Sequence, residues 1–211
     1  METRELLRIP VDDISLEGEM VFPDNPQGLV IFAHGAGSSR LSPRNNHVAG
    51  ILQKQGLGTL LLDLLTEEED MTYENRFDID LITRRMIDTT LWVKTNTRAE
   101  SLPVGYFGAS TGSAAAIGAS IIGSVKIDAI VSRGGRPDLV NEILPQVSSP
   151  ILLIVGRWDP IVIEMNKLAF AQIPAEKDLV IVEGATHLFE EPGKLDEVAD
   201  LATGWFRKHL V

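Results

Sequence analysis

The sequence predicts an α/β fold, a mostly parallel β-sheet covered on both faces by helices. Three observations lead there. Apolar runs such as "GLVIFAHG" and "PILLIVG" are continuous rather than alternating, as strands buried on both faces require. Stretches of helical length and spacing separate those runs, so strand and helix alternate along the chain. No internal repeat, low-complexity tract or linker breaks the alternation, and one domain is the expectation for 211 residues.

The elements follow in order. "ELLRIP" and "ISLEGEMVFP" read as two opening strands joined by an acidic turn at Asp12 and Asp13. "GLVIFAHG" is a buried strand, and "PRNNHVAGILQKQG" a helix closed by Gly56. "LGTLLLDLL" is the next strand, followed by the polar segment 66–80. Ile82, Met86, Thr89 and Val93 recur at helical spacing and predict a helix over about residues 81–97. Then come the strand "PVGYFGAS", a helix from Thr111, the strand "IDAIVSRGG" and a short helix. "PILLIVGRWD", a further helix, "DLVIVEGATH" and a last helix ending near His209 complete the chain.

Composition narrows the function. A net charge of −11 opposes nucleic acid and anionic membrane surfaces as partners. There is no apolar run long enough to span a bilayer, and "METRELLRIP" lacks the apolar core of a signal peptide, so a cytoplasmic location is expected. With 0 cysteines, disulfides, thiolate metal sites and a cysteine nucleophile are excluded.

In sheets of this kind, working residues gather beyond the carboxyl ends of the strands. One such end, "GASTG" at 108–112, fits G-x-S-x-G, a turn that holds its central serine, Ser110, clear of the chain. A serine hydroxyl is a weak nucleophile without a base to take its proton. Of 4 histidines, His47 falls within a predicted helix and His209 at the frayed C-terminus. His34 ends a strand before "GAG" and is suited to fixing that loop, whereas His187 follows the last strand in a loop opened by Gly184. His187 is therefore the candidate base.

A base needs a carboxylate to hold its tautomer. Asp159, just past "PILLIVG" and before Pro160, is the first candidate; Asp63, at an earlier strand end, is the fallback or else caps its loop. Glu183 is read as still within its strand, and Asp138 as the cap of a helix starting at Leu139. Oxyanion donors are expected at the backbone N–H of Thr111 and in the "HGAG" loop, at Ala36 or alternatively Gly37. Arg133 and Arg136 in "VSRGGRPDL" suit a substrate carboxylate or phosphate, but the favoured reading pairs them with the chain's own carboxylates, including "EEED" at 67–70. Trp158 either lines the pocket or packs its loop.

The order Ser110, Asp159, His187 with the "HGAG" loop resembles the α/β-hydrolase superfamily, and more narrowly the dienelactone hydrolase-related group. "YFGASTGSAAA", "VSRGGRPDL" and "GATHLFEEPG" resemble a subgroup of small stand-alone hydrolases, related domains of which occur fused to phosphoribosyltransferases. The resemblance covers nearly the whole chain. It implies an eight-stranded, mostly parallel sheet with an antiparallel second strand, a Ser-Asp-His triad, no metal and no organic cofactor. Founding dienelactone hydrolases use a cysteine where this chain has Ser110, so dienelactone cleavage is not carried over. Only residues 136–149 separate "IVSRGG" from "PILLIVG", too few for a large cap domain there, and Glu67–Asp80 is the expected rim of an open site. The expected activity is hydrolysis of small soluble esters. Acyl transfer to peroxide, an alcohol or an amine with the same triad, or a non-catalytic binding module, are the alternatives.

Overall fold

The computed structural model describes residues 2–211. Strands β1 (Thr3–Val11) and β2 (Ile14–Phe22) form a hairpin, its turn made by Asp12 at φ 50°. Then follow β3 (Leu29–Ala33), α1 (Pro43–Lys54), β4 (Gly58–Leu62), the short α2 (Glu67–Asp70) and a 3₁₀ turn over Tyr73–Phe77. Next are α3 (Ile79–Asn96), β5 (Val104–Ala109), α4 (Thr111–Ile122), β6 (Ala129–Arg133) and a kinked 3₁₀ helix over Pro137–Gln146. β7 (Ile151–Gly156), α5 (Pro160–Gln172), β8 (Lys177–Val182) and α6 (Lys194–Leu210) end the chain.

The eight strands form one sheet in the order β1-β2-β4-β3-β5-β6-β7-β8. β2 is antiparallel to both its neighbours, and every pair from β4 to β8 is parallel. This is the α/β-hydrolase sheet, with no large cap over it. Successive strand residues serve opposite faces, as a pleated strand dictates. Ile31 and Tyr106 pack with Met86 and Ile117 of α3 and α4, whereas Phe32 and Phe107 pack with Leu52 and Phe206 of α1 and α6. That two-sided burial explains the continuous apolar runs. The Tyr106 hydroxyl is sealed in the first core, where it shares a 2.7 Å hydrogen bond with Thr90. Burial pushes this phenol well above its ordinary range.

Helix ends follow local chemistry. Ser42 caps α1 ahead of Pro43, Asp78 accepts from the Leu81 N–H at 2.9 Å, and Thr66 and Glu69 form a capping box on α2. The short helix expected from Leu139 is present as a 3₁₀ helix over Pro137–Gln146, but its expected cap at Asp138 is not. Val140 at φ −128° kinks the segment and Pro145 lies inside it, so it stays 3₁₀. Asp138 lies within its first turn and makes no cap bond; it binds Arg136 through both carboxylate oxygens at 2.8 Å. His209 is not frayed either, its ring lying 4.7 Å from that of Trp205. No helix among the described residues is long and apolar enough to cross a membrane.

Candidate active site

Ser110 sits between the end of β5 and the start of α4, at φ 51° and ψ −122°. Backbone in that region is costly for any residue with a Cβ, and persists only where the surroundings impose it. They do so by packing the flanking glycines against main chain. A Cβ on Gly108 would come 2.4 Å from Cα of Ser113, and one on Gly112 would come 2.3 Å from the carbonyl oxygen of Ala33. Around the serine, its N–H donates to the Arg133 carbonyl at 3.2 Å and its own carbonyl accepts from the Arg136 N–H at 3.1 Å.

Ser110 also occupies the N-cap position of α4, where a serine ordinarily caps, yet its side chain makes no cap hydrogen bond. Its Oγ is left without a capping partner. The Thr111 N–H, first in the helix, has no intrahelical acceptor by the geometry of a helix start. Asp159 repeats the pattern. It is the N-cap residue of α5, forms no cap bond, and instead accepts from Nδ1–H of His187 at 2.6 Å. That bond leaves Nε2 as the acceptor nitrogen of a neutral imidazole.

The loop holding His187 is anchored at both sides. The Thr186 N–H donates to the Glu191 carboxylate at 3.1 Å, and Phe189, at φ 57°, is 1% exposed. Across the loop, a Cβ on Gly134 would lie 3.3 Å from Cε1 of His187, so the imidazole rests against the end of β6. Ser110, Thr111, Ala36 and His187 share one cavity of about 350 Å³. Phe77 and Leu188 add apolar surface to it, Phe77 coming from the polar segment expected at the rim.

The expected oxyanion donors have a feature invisible in sequence. The Ala36 N–H donates to Oγ1 of Thr111 at 2.9 Å, across 75 positions of chain. The other candidates take structural positions. Asp63 accepts from the Arg40 N–H at 2.6 Å and from the Arg40 guanidinium at 2.5 Å, clamping the "HGAG" loop to the end of β4. Glu183 lies just past β8 and pairs with Arg157, while His47 pairs with Asp196 at 2.6 Å. Trp158 is 61% exposed.

The arginines correct one expectation. Arg136 pairs internally with Asp138, but Arg133 finds no carboxylate among the described residues. The acidic run at 67–70 serves other cations, Glu69 holding Arg85 and Asp70 holding Arg76, both at 2.9 Å. Arg133 is 7% exposed, and its Nε and Nη1 are buried without hydrogen-bond partners. Burial, with the charge of Arg44 nearby, lowers its guanidinium to about 10, so it stays charged at neutral pH.

His34 is buried, its Nδ1–H donating to the Gly35 carbonyl at 2.9 Å and its Nε2 accepting from the Leu64 N–H at 3.1 Å. A proton on Nε2 would break the second bond. Desolvation lowers this imidazole below its ordinary 6.5, against smaller raising effects from Gly35, Asp63 and Asp70. Below that value the unfolded chain binds the proton that the folded one refuses, so the contribution is full above 6.5 and is lost as pH falls toward the folded value. Urea midpoints should therefore drop as pH falls below about 6.5, and His34→Gln should flatten that slope. His209, lowered likewise by burial, accounts for a residual slope. An equal slope in the variant would remove His34 from this account.

Among the described residues, no group of three or more His, Asp or Glu side chains is placed to hold a metal ion.

No family model matches the chain. Among solved structures it is similar to the dienelactone hydrolase of Anabaena variabilis, with 48% identity and a TM-score of 0.97 over 100% of this chain and 99% of that one. Est1E of Butyrivibrio proteoclasticus (15% identity, TM-score 0.82, 96% of this chain and 98% of that one) shares the fold. So does the esterase Pf2001 of Pyrococcus furiosus (18%, 0.79, 99% and 92%). A Mycobacterium tuberculosis protein provisionally named phosphoribosyl transferase is 50% identical over 206 residues, 98% of this chain but 46% of that protein. The chain thus spans about half the length of the curated relatives it matches. Matched from end to end by a relative at 48% identity, the chain belongs to the dienelactone hydrolase family of the α/β-hydrolase fold.

Proposed function

We propose that the chain is a serine carboxylic-ester hydrolase acting on small esters through an acyl-enzyme. The observation that carries this reading is Ser110, held in a left-handed backbone conformation, in one cavity with a histidine already hydrogen-bonded to a carboxylate. The esterases that share its fold favour the same chemistry.

In this mechanism Oγ of Ser110 attacks the ester carbonyl carbon while Nε2 of His187 takes the hydroxyl proton. Asp159 keeps the imidazole in the tautomer that can accept it, and stabilises the imidazolium that results. The carbonyl π pair moves to oxygen, and the backbone N–H groups of Ala36 and Thr111 hold that charge. Collapse breaks the bond to the leaving alkoxide, which departs as the alcohol with the proton from His187. Water then attacks the acyl-Ser110 carbonyl with His187 as base again, and the acid leaves with Ser110 restored.

A fluorophosphonate should label the folded protein on the peptide containing Ser110, located by mass spectrometry, and block hydrolysis of nitrophenyl acetate. A folded protein that takes no label, or takes it only elsewhere, would discard the reading.

A further inference from the structure

We propose that Ser113 is a positioning residue for the oxyanion. By donating to the Ser110 carbonyl, its hydroxyl polarises and orients the Ser110–Thr111 peptide, so that the Thr111 N–H binds developing negative charge more strongly. The inference rests on the ester-hydrolase reading above, in which that N–H is one of the two oxyanion donors.

Ser113 lies in the first turn of α4 and is 0% exposed. Its hydroxyl donates to the Ser110 carbonyl at 2.8 Å. The same carbonyl accepts from the Ser113 N–H and from the Arg136 N–H, each at 3.1 Å. Three donors thus converge on an oxygen with two lone pairs. The Ser113 Oγ in turn accepts from the Arg136 N–H at 2.9 Å, so that N–H is shared between hydroxyl and carbonyl. The loop after β6 is pressed onto this hydroxyl, for a Cβ on Gly135 would come 2.3 Å from it. From the far side Asn166, buried in α5, donates its amide to the Gly135 carbonyl at 2.9 Å. The loop is therefore held by the helix whose N-cap is Asp159.

The Ser110 carbonyl and the Thr111 N–H belong to one planar trans peptide and point in opposite directions. Anchoring the carbonyl on the loop side aims the N–H out of the helix start. Hydrogen bonds accepted by the oxygen also draw electron density from the nitrogen through amide resonance, and the N–H becomes a better donor. Ser120, farther along α4, bonds the Ile117 carbonyl at 2.7 Å, the ordinary back-bond of a helical serine. The N–H of that peptide, on Gly118, lies inside the helix and is spent there. The Thr111 N–H, first in the helix, is not.

Ser113→Ala is the test. It should fold, since the Ser110 carbonyl keeps two N–H donors and the Arg136 N–H keeps that carbonyl. Turnover of nitrophenyl acetate should fall about twofold to tenfold at unchanged KM, a fraction of the loss from deleting an oxyanion donor outright. Affinity for butyl trifluoromethyl ketone, which adds Ser110 to form a charged hemiketal, should fall by the same factor. Butyl methyl ketone, which stays neutral, should bind as before. Ser120→Ala also deletes a back-bonded hydroxyl from α4 and should leave all these values unchanged. Ser113→Cys, a weaker donor at the same position, should lie between, and stands in should Ser113→Ala not fold.

The polarisation is read without turnover from the Thr111 amide nitrogen resonance of isotope-labelled protein. That resonance should move upfield in Ser113→Ala, because the carbonyl of the same peptide loses a hydrogen bond, and stay in place in Ser120→Ala. An unmoved Thr111 resonance, an unchanged turnover, or equal losses toward both ketones overturns the inference. A native protein that hydrolyses no ester ends the ester-hydrolase reading instead, and the resonance still decides whether Ser113 polarises the donor.

Discussion

Ser110→Ala should reduce ester turnover by about 10³-fold or more while leaving the fold intact. The substitution removes one oxygen, and that oxygen makes no helix-capping bond, so no structural hydrogen bond goes with it. The backbone contacts that impose the turn, from Ser110 to Arg133 and Arg136, are main-chain and survive. What is lost is the atom that the proposed mechanism acylates. Residual rate would come from the oxyanion donors and from bound water, which is why the loss is large rather than complete. Initial rates on nitrophenyl acetate, with circular dichroism and urea midpoints as the control for folding, make the measurement. Near-native turnover in a folded variant would end the acyl-enzyme mechanism.

Asp159→Asn should cost about 10²–10⁴-fold in turnover with little change in apparent substrate binding. Asp159 accepts the Nδ1 proton of His187 at 2.6 Å, and its side chain is 17% exposed, so little water can substitute for it. An amide of the same size removes the charge that stabilises the imidazolium. It can also donate to Nδ1, which would put the imidazole proton on Nε2, where it cannot accept from serine. Asp63→Asn is the informative comparison, because Asp63 also ends a strand but its bonds go to the backbone and side chain of Arg40. Its loss should loosen the "HGAG" loop and lower stability, with a much smaller effect on rate. The reverse ranking, measured at matched folding, would reassign the acid and leave Ser110 and His187 in place.

The contrast between these aspartates shows what was legible in the chain. The G-x-S-x-G turn is local, so Ser110 could be read from five neighbouring residues. His187 followed by elimination among few histidines, and Asp159 from chain order. Strand positions were legible because a strand buried on both faces must be apolar throughout. The partners of polar side chains were not. Whether Arg133 meets a carboxylate depends on which loops converge at the end of β6, and Asp138, nearest in sequence, is taken by Arg136. Arg44 and Phe77 join the site from distant segments whose local pattern shows only a helix start and a polar stretch. Pro145 could have warned that residues 137–146 would not form a regular α-helix.

At rest, the amide of Ala36 already has an acceptor, the Thr111 hydroxyl. In the proposed mechanism, an incoming ester oxygen must compete with it. A neutral ester carbonyl is an acceptor of similar strength, so displacing the hydroxyl gains little. An oxygen that has taken on negative charge forms bonds roughly twice as strong, and wins the exchange. Under that mechanism the threonine would act as an internal rival that ground-state substrate does not readily dislodge and the charged intermediate does. Affinity would then be withheld from the ester until its carbonyl has begun to change, which is the direction in which binding energy accelerates a reaction.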